Sequence, residues 1–342
     1  MNRGTDYRLS IFALSIATML MCVATETAFS RPGEKFEQAM RAYSNAQYDD
    51  AITILLELAG DSSMEQKDRV QVHLHLGRAY VAKNLYEKAK WSIAELLELE
   101  PPAISLDPDN ECPPLMKIYY DVRKEKAGSA QIERSDPGIQ TIAILDFMNR
   151  SVDDKEKFDP MEKGFSELMI NQLQGTVKLK VVERERIQWI LEEIGLENEP
   201  GKFDPASAVR VGKQLGVHTV LLGSFIKLKD QIKLLARLVK VETSEILATE
   251  EATGDADDFF ELTEKLGVKV AGKINVAVTR EDLSQGTETK SLDAMMSYSE
   301  GLVLLEKGNY KLAYDKFLEA VEKDPAYEKA KTKAESLRPL IG

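Results

Sequence analysis

The sequence is poor in the residues that carry metal and redox chemistry. It has two cysteines, Cys22 and Cys112, and three histidines, His73, His75 and His218. Cys22 lies in a segment expected to be removed, which leaves Cys112 without an intramolecular disulfide partner. A structural zinc site needs about four clustered thiolate or imidazole ligands, and these residues are not spaced that way. His73 and His75 are two apart on a helical stretch and point in different directions. His218 opens a buried strand and reads as structural. Phosphate loops are missing as well. Gly212-Lys213 has no glycine-rich turn before it, and the first strand is not followed by GxGxxG. Gly223-Ser224 lacks the surroundings of a nucleophile elbow. The carboxylates of Asp153-Asp154 and of residues 255–258 lack calcium-loop spacing and read as solvated charge. No catalytic residue, no metal and no cofactor can be assigned, and a non-enzymatic protein is expected.

Positive charge is also in deficit. Lys and Arg number 45 against 57 Asp and Glu, a formal net charge of −12. Such a chain repels nucleic acid and anionic lipid, so nucleic acid is excluded as a main partner. Hydrophobic residues at 43% and charged residues at 30% describe ordinary globular protein, neither disordered nor polytopic.

Long apolar runs are absent too. The longest, residues 9–24, is about sixteen residues, short of the roughly twenty that span a bilayer. Arg3 and Arg8 precede it. Ala28-Phe29-Ser30 follows, with small residues at the −3 and −1 positions of a cut before Arg31. Residues 1–30 therefore read as a secretory signal. An uncleaved anchor helix and lipidation of Cys22 are the alternatives, although Leu20 and Met21 stand where a lipobox wants small residues. On each reading the bulk of the chain is exported to the periplasm.

What the sequence does have is a repeat. Leu76-Gly77-x-Ala79-Tyr80 is followed by Tyr86, Ala89, Ile93, Leu96 and Pro101. Gly301 and Leu304 are followed by Gly308-Asn309-Tyr310, Ala313, Phe317, Ala320 and Asp324-Pro325. A weaker copy holds Ala39, Tyr48, Ala51, Leu55 and Leu58. Small residues let two antiparallel helices approach, large ones fill the space beside them, and proline stops the second helix. The pattern resembles the tetratricopeptide repeat, and it assigns residues 31–128 and 291–342 to helical hairpins. The spacing from Ala51 to Ala89 exceeds one repeat, so an insertion is expected in 60–68. First-helix positions would line the concave surface: Phe36, Met40, Tyr43, Leu74, Arg78, Met295, Tyr298, Leu302 and Leu305. Two readings stand for these nine residues, a partner-binding surface or packing on the neighbouring domain.

Between the repeats the periodicity changes. Residues 129–138 read as a linker. The apolar run Thr141–Phe147 suits a buried strand, and Asp159-Pro160 then opens a helix with Met161, Phe165, Leu168 and Met169 on its apolar stripe. A strand is expected over 177–182. The helix after it carries Ile187, Ile190, Leu191 and Ile194, and stops at Gly195. Asp204-Pro205 caps a further helix that ends at Gly216. Strands over 217–225, 231–241 and 245–250 form an antiparallel meander, and a helix over 255–278 buries Phe259, Leu262, Leu266, Val270 and Ile274. The order β-α-β-α-α-β-β-β-α predicts an α+β or mixed architecture, one mixed sheet with helices packed on it and helical hairpins at both ends.

This central block, 139–280, resembles the family of the curli secretion channel protein CsgG, together with FlgO, LpoB and the N-terminal part of TolB. The resemblance rests on Ile142-Ala143-Ile144-Leu145-Asp146-Phe147, Val181-Val182-Glu183-Arg184, Gly212-Lys213-Gln214-Leu215-Gly216-Val217, Leu222-Gly223-Ser224, and the run from Ala236 to Thr243. It implies an envelope location, a non-enzymatic role, and a tendency to assemble or dock on protein partners. Homo-oligomers and peripheral outer-membrane association fall within that expectation. The combined reading is a periplasmic or outer-membrane-associated adaptor; the alternative is a subunit of a CsgG-type secretion channel. Against a pore, residues 231–241 mix Lys233 and Arg237 with Leu235 and Val239 on one face, which suits a partly covered sheet better than lipid. Glu183-Arg184 stands at a strand-to-helix turn, either as a docking point or as an ion pair that fixes the turn.

Overall fold

The computed structural model describes residues 32–99, 105–129, 131, 138–196, 204–255, 258–286 and 289–341. The expected secretory signal, Cys22 and Pro101 lie outside these residues, as does most of the linker. The described residues begin with α1 (Pro32–Ser44), α2 (Tyr48–Ala59), α3 (Gln66–Ala82), α4 (Tyr86–Leu99) and α5 (Pro113–Ala127). The α1–α2 and α3–α4 reversals turn on Ala46 and Asn84, both left-handed at φ 57° and 58°. Asparagine tolerates that conformation; alanine does so only at some cost. Gly77 lies where α3 crosses its neighbours: a Cβ there would stand 3.2 Å from Ile93 and 3.3 Å from Leu115.

The sheet region contains β1 (Gln140–Ile144), β2 (Met148–Asn149), α6 (Lys155–Phe158), α7 (Met161–Leu173), β3 (Leu179–Val181), α8 (Arg184–Glu193), α9 (Pro205–Leu215), β4 (Thr219–Leu228), β5 (Gln231–Lys240), β6 (Ile246–Asp255), α10 (Phe259–Lys273) and α11 (Arg280–Ser284). The chain closes with α12 (Leu292–Glu306), α13 (Tyr310–Lys323) and α14 (Glu328–Ile341). Strand order is β3-β1-β4-β5-β6, with β2 beside β4. The first three are parallel and the meander is antiparallel, so the sheet is mixed as expected.

The sheet divides the interior. One face, with Ala143, Leu145, Val220 and Val239, packs on α8 and α9 and runs on into the N-terminal helices. The other, with Ile142, Ile144, Leu221, Phe225 and Leu234, packs on α7 and α10 and runs on into α12, α13 and α14. Phe165 joins that face to its helices, with its ring 4.9 Å from Phe225 and 6.1 Å from Phe259. Each such side chain, fully buried, stabilises the fold by about 1.5–3 kcal/mol. Strand β5 buries Ile232, Leu234, Ala236 and Leu238 in this core, while Arg237 on its other face is exposed.

Several expected boundaries move. Asp159 is not the N-cap of α7, a place taken by Pro160; it stands at the C-cap of α6, and its carboxylate accepts from Asn149 and Lys155. Asp204 does cap α9, accepting from the Ser207 amide at 2.7 Å. The helix expected over 255–278 ends at Lys273, because Asn275 is left-handed at φ 59°.

Candidate functional site

The N-terminal hairpins and the last helix enclose a groove of about 1220 Å³. It is lined by Tyr43 and Tyr48 from the first hairpin, Leu74 and Arg78 of α3, and Lys331, Glu335 and Arg338 of α14. Its two sides therefore come from opposite ends of the chain.

Polar groups on the α3 side are tied together. Arg78 donates from Nε to Glu111 Oε2 at 2.9 Å and from Nη2 to Oε1 at 2.5 Å, a two-point fork on a carboxylate that is itself buried. A third nitrogen, Nη1, donates to His75 Nε2 at 3.1 Å, and His75 Nδ1 donates to the Gln71 carbonyl at 2.9 Å. Burial, with the Arg78 charge acting in the same direction, pushes the His75 imidazole down to about 4. The ring is therefore neutral at pH 7 and can accept from arginine. Phe36 and Tyr43 set ring edges against it, with centroids at 5.5 Å and 6.4 Å. Cys112 also borders the groove. Burial pushes its thiol up to about 11, so it stays protonated and unreactive.

Below the groove, α14 is anchored by two buried lysines. Lys333, 3% exposed, reaches Asp109 Oδ1 at 3.0 Å, Glu185 Oε1 at 2.5 Å and the Pro108 carbonyl at 3.0 Å. Lys329 reaches Asp109 Oδ2 at 3.1 Å, Glu167 Oε1 at 2.5 Å and Asn171 Oδ1 at 2.7 Å. Burial alone would raise the Asp109 carboxyl, but Lys333 and Lys329 outweigh it and hold it down at about 2. A second buried knot joins Asp146 after β1 to Arg184 at 3.3 Å and Lys163 at 3.0 Å, and both cations also pair with Glu306 of α12. Arg184, flagged in the sequence at its strand-to-helix turn, is thus an interior ion-pair residue. Its neighbour Glu183 is pushed up by burial and meets the Tyr120 hydroxyl at 3.4 Å.

The nine residues marked in the sequence separate into two sets. Tyr43, Leu74 and Arg78 line the groove, and Phe36 and Met40 stand half-buried on the same helix as Tyr43. Met295, Tyr298, Leu302 and Leu305 are buried. Helix α12 turns this face inward: Ser299 beside it contacts Met161 of α7, and the Tyr298 ring lies 5.2 Å from Phe317 and 5.1 Å from Tyr327. Sequence reasoning missed Lys331, Glu335 and Arg338, which look like the solvated face of a charged helix. Among the described residues, no group of three or more His, Cys, Asp and Glu side chains could hold a metal ion, and no helix is long and apolar enough to cross a membrane.

Fold and groove together define a mixed α/β module with helix pairs packed on it and a groove between its N-terminal helices and α14. Residues 123–233 match the family described as "Curli production assembly/transport component CsgG". That is about a third of the chain, from within α5 to the start of β5. Among curated proteins there is no match. Among solved structures, the chain is similar to the LpoB C-terminal domain from Escherichia coli at 16% identity, covering 44% of this chain and 99% of that one, with a TM-score of 0.29. The LpoB C-terminal domain from Salmonella enterica is similar at 14% identity, covering 39% and 91%, with a TM-score of 0.28. Lipoprotein GNA1162 from Neisseria meningitidis is similar at 16% identity, covering 40% and 94%, also at 0.28.

Proposed function

We propose that this protein is a non-enzymatic adaptor of the bacterial envelope, which holds a segment of a protein partner in the groove between its N-terminal hairpins and α14. In this reading residues 1–30 are a secretory signal. Residues 31–128 and 291–342 are tetratricopeptide-like hairpins, and 139–280 is the CsgG-like domain. The protein works in the periplasm, in peripheral association with the outer membrane. The groove carries the reading: it is concave, apolar at Tyr43, Tyr48 and Leu74, and most of its charged groups are already paired, as Arg78 is with Glu111, Lys331 with Glu328 and Arg338 with Glu335. Such a surface suits the apolar side of a peptide better than a small charged substrate.

The test is site-specific photocrosslinking in living cells. A photoreactive phenylalanine replaces Gln71 or Ser336 on the groove, or Lys265 on the exposed face of α10 as control. One discrete envelope protein trapped at both groove positions and not at Lys265 is the expected result. Products identical at all three positions, or none, would overturn the reading. The channel-subunit alternative draws on the family match. Stable pore-sized oligomers of the full chain in membranes would favour it.

A further inference from the structure

Helices cover only part of the sheet. On the face that carries Val220, Leu222 and Val239, α9 lies over the first half of β4 and the end of β5, with Gly212 against Val220 and Val241. Beyond Leu222 this face opens to solvent: Arg237, Thr249, Glu251 and Thr253 on it are exposed. Register sets Met148, Ser224, Leu235 and Glu251 in one row across the strands, and Ile226, Lys233 and Thr253 in the next. Met148, Ile226 and Leu235 are half-buried, yet they pack in neither hydrophobic core. They form the apolar part of a sheet surface that the interior does not use.

Charge narrows the choice of occupant. Arg237 stands at one corner of the patch, in the row of Leu222 and Thr249. Arg150 continues the alternation of β2 and falls at the diagonal corner, beside Ile226; its amide donates to the Phe225 carbonyl at 2.8 Å. Both arginines are exposed, and among the described residues neither guanidinium has a hydrogen-bond or ion-pair partner. The nearby acids are committed or marginal. Glu251 takes Lys233 at 2.6 Å, and Asp154 takes Lys227 at 3.7 Å. Asp255, at the end of β6, accepts from Gln231, and Asp153 is exposed in the β2–α6 loop. In a chain of net charge −12, two uncommitted arginines around apolar surface call for carboxylates on the occupant. A strand would add along the open edge of β6 rather than on this face. A sheet face is buried by helices, as α9 already buries the adjoining part of this one.

We infer that this sheet surface docks an amphipathic helix of a protein partner, beside α9, with aspartate or glutamate flanking the apolar stripe of that helix. It shares no residue with the groove. The test titrates the full chain into a fluorescein-labelled synthetic helix of about eighteen residues, about 27 Å long, whose leucine stripe is bordered by glutamates. The expected result is saturable binding that weakens about tenfold or more in Arg150→Glu/Arg237→Glu, because like charges then face each other. Arg150→Gln/Arg237→Gln should lose less. Both arginines are exposed and unpaired, so these variants keep their fold, which circular dichroism verifies. A lysine-bordered helix, and the glutamate peptide broken by a central proline, should each bind about tenfold more weakly or not at all. Absence of saturable binding, equal binding of either control peptide, or indifference to the arginine changes would overturn the inference. Arginine-dependent binding to vesicles of phosphatidylcholine and phosphatidylglycerol would assign the surface to lipid instead, and arginine-dependent dimerisation would assign it to a second copy. Groove crosslinking at Gln71 and Ser336 does not depend on any of these results, so the two proposals stand or fall separately.

Discussion

The ring of Phe317 lies directly over Gly301: a Cβ on that glycine would stand 2.5 Å from Phe317 Cε1 and 2.7 Å from Cδ1. A planar ring packed on a helix backbone cannot yield as a methyl end can. Gly301→Ala should therefore destabilise the chain by about 1–3 kcal/mol despite the better helix propensity of alanine. Gly77→Ala meets only the tips of Ile93 and Leu115 at 3.2 and 3.3 Å. There the propensity gain of about 1 kcal/mol offsets most of the crowding. Urea unfolding of both variants checks the order. A Gly301→Ala variant as stable as the parent would mean that the two helices do not interlock at this point.

Lys333 contributes in a different way. It is an interior cation, and although burial acts to lower its pKa, Glu185 and Asp109 outweigh that and hold it above the ordinary lysine value. Lys333→Met leaves the half-buried Glu185 without its ion-pair partner and Asp109 with Lys329 alone, and should cost about 3 kcal/mol, the low end for breaking a buried pair. Lys331→Met, two residues earlier and exposed, should change stability by less than about 0.5 kcal/mol. Hydrogen exchange distinguishes local from global effects: Lys333→Met should accelerate exchange in α14 more than in β4. Equal acceleration throughout would show that the lysine supports the whole fold rather than anchoring one groove wall.

These contrasts show which features the sequence carried. Helices α4 and α13 begin at Tyr86 and Tyr310, the residues that mark the turns in the repeat, because their small and large positions are local signals. Strand β5 was legible because Ile232, Leu234, Ala236 and Leu238 alternate into the core. Strand β6 runs to Asp255, beyond the expected 245–250: its later residues pair with β5 but bury only Ala252 in the core, so they show little apolar alternation. Strand β3 starts late because Lys178 is left-handed at φ 65° and Val177 is 80% exposed. The groove was half legible. Tyr43, Leu74 and Arg78 come from hairpin positions, but α14 joins them through tertiary contacts, among them the ion pairs of Lys329 and Lys333 with Asp109, Glu167 and Glu185, which lie far away in sequence. No periodicity encodes such a juxtaposition.

Stability should fall as pH drops from about 6.5 to 4. His75 has a folded pKa of about 4 and a higher unfolded one, so within this window the unfolded chain binds a proton that the folded chain does not. Its contribution is complete above the unfolded value and is lost as pH falls through the folded one. His73 is lowered by burial in the same direction. Glu162 and Glu183, raised by burial, oppose the trend. Unfolding free energies measured between pH 7 and 4 should therefore slope less in His75→Gln than in the parent. An identical slope would show that the imidazole titrates normally in the folded chain.

Arginine rather than lysine at position 78 follows from geometry. Its fork meets both oxygens of Glu111 while a third nitrogen meets His75, and a lysine ammonium cannot reproduce that planar set. Arg78→Lys keeps the charge and should cost about 1–2 kcal/mol, the value of one lost charge-assisted bond. Arg78→Leu should cost more, because Glu111 is then buried without its cation. In Arg78→Leu/Glu111→Leu the stranded charge is gone, and stability should recover toward that of the lysine variant. In the crosslinking assay the same series separates shape from charge. If the partner rests on apolar surface, the double variant still captures it from Ser336. If the partner reads the guanidinium, capture is lost in both leucine variants while the fold of the double variant remains intact.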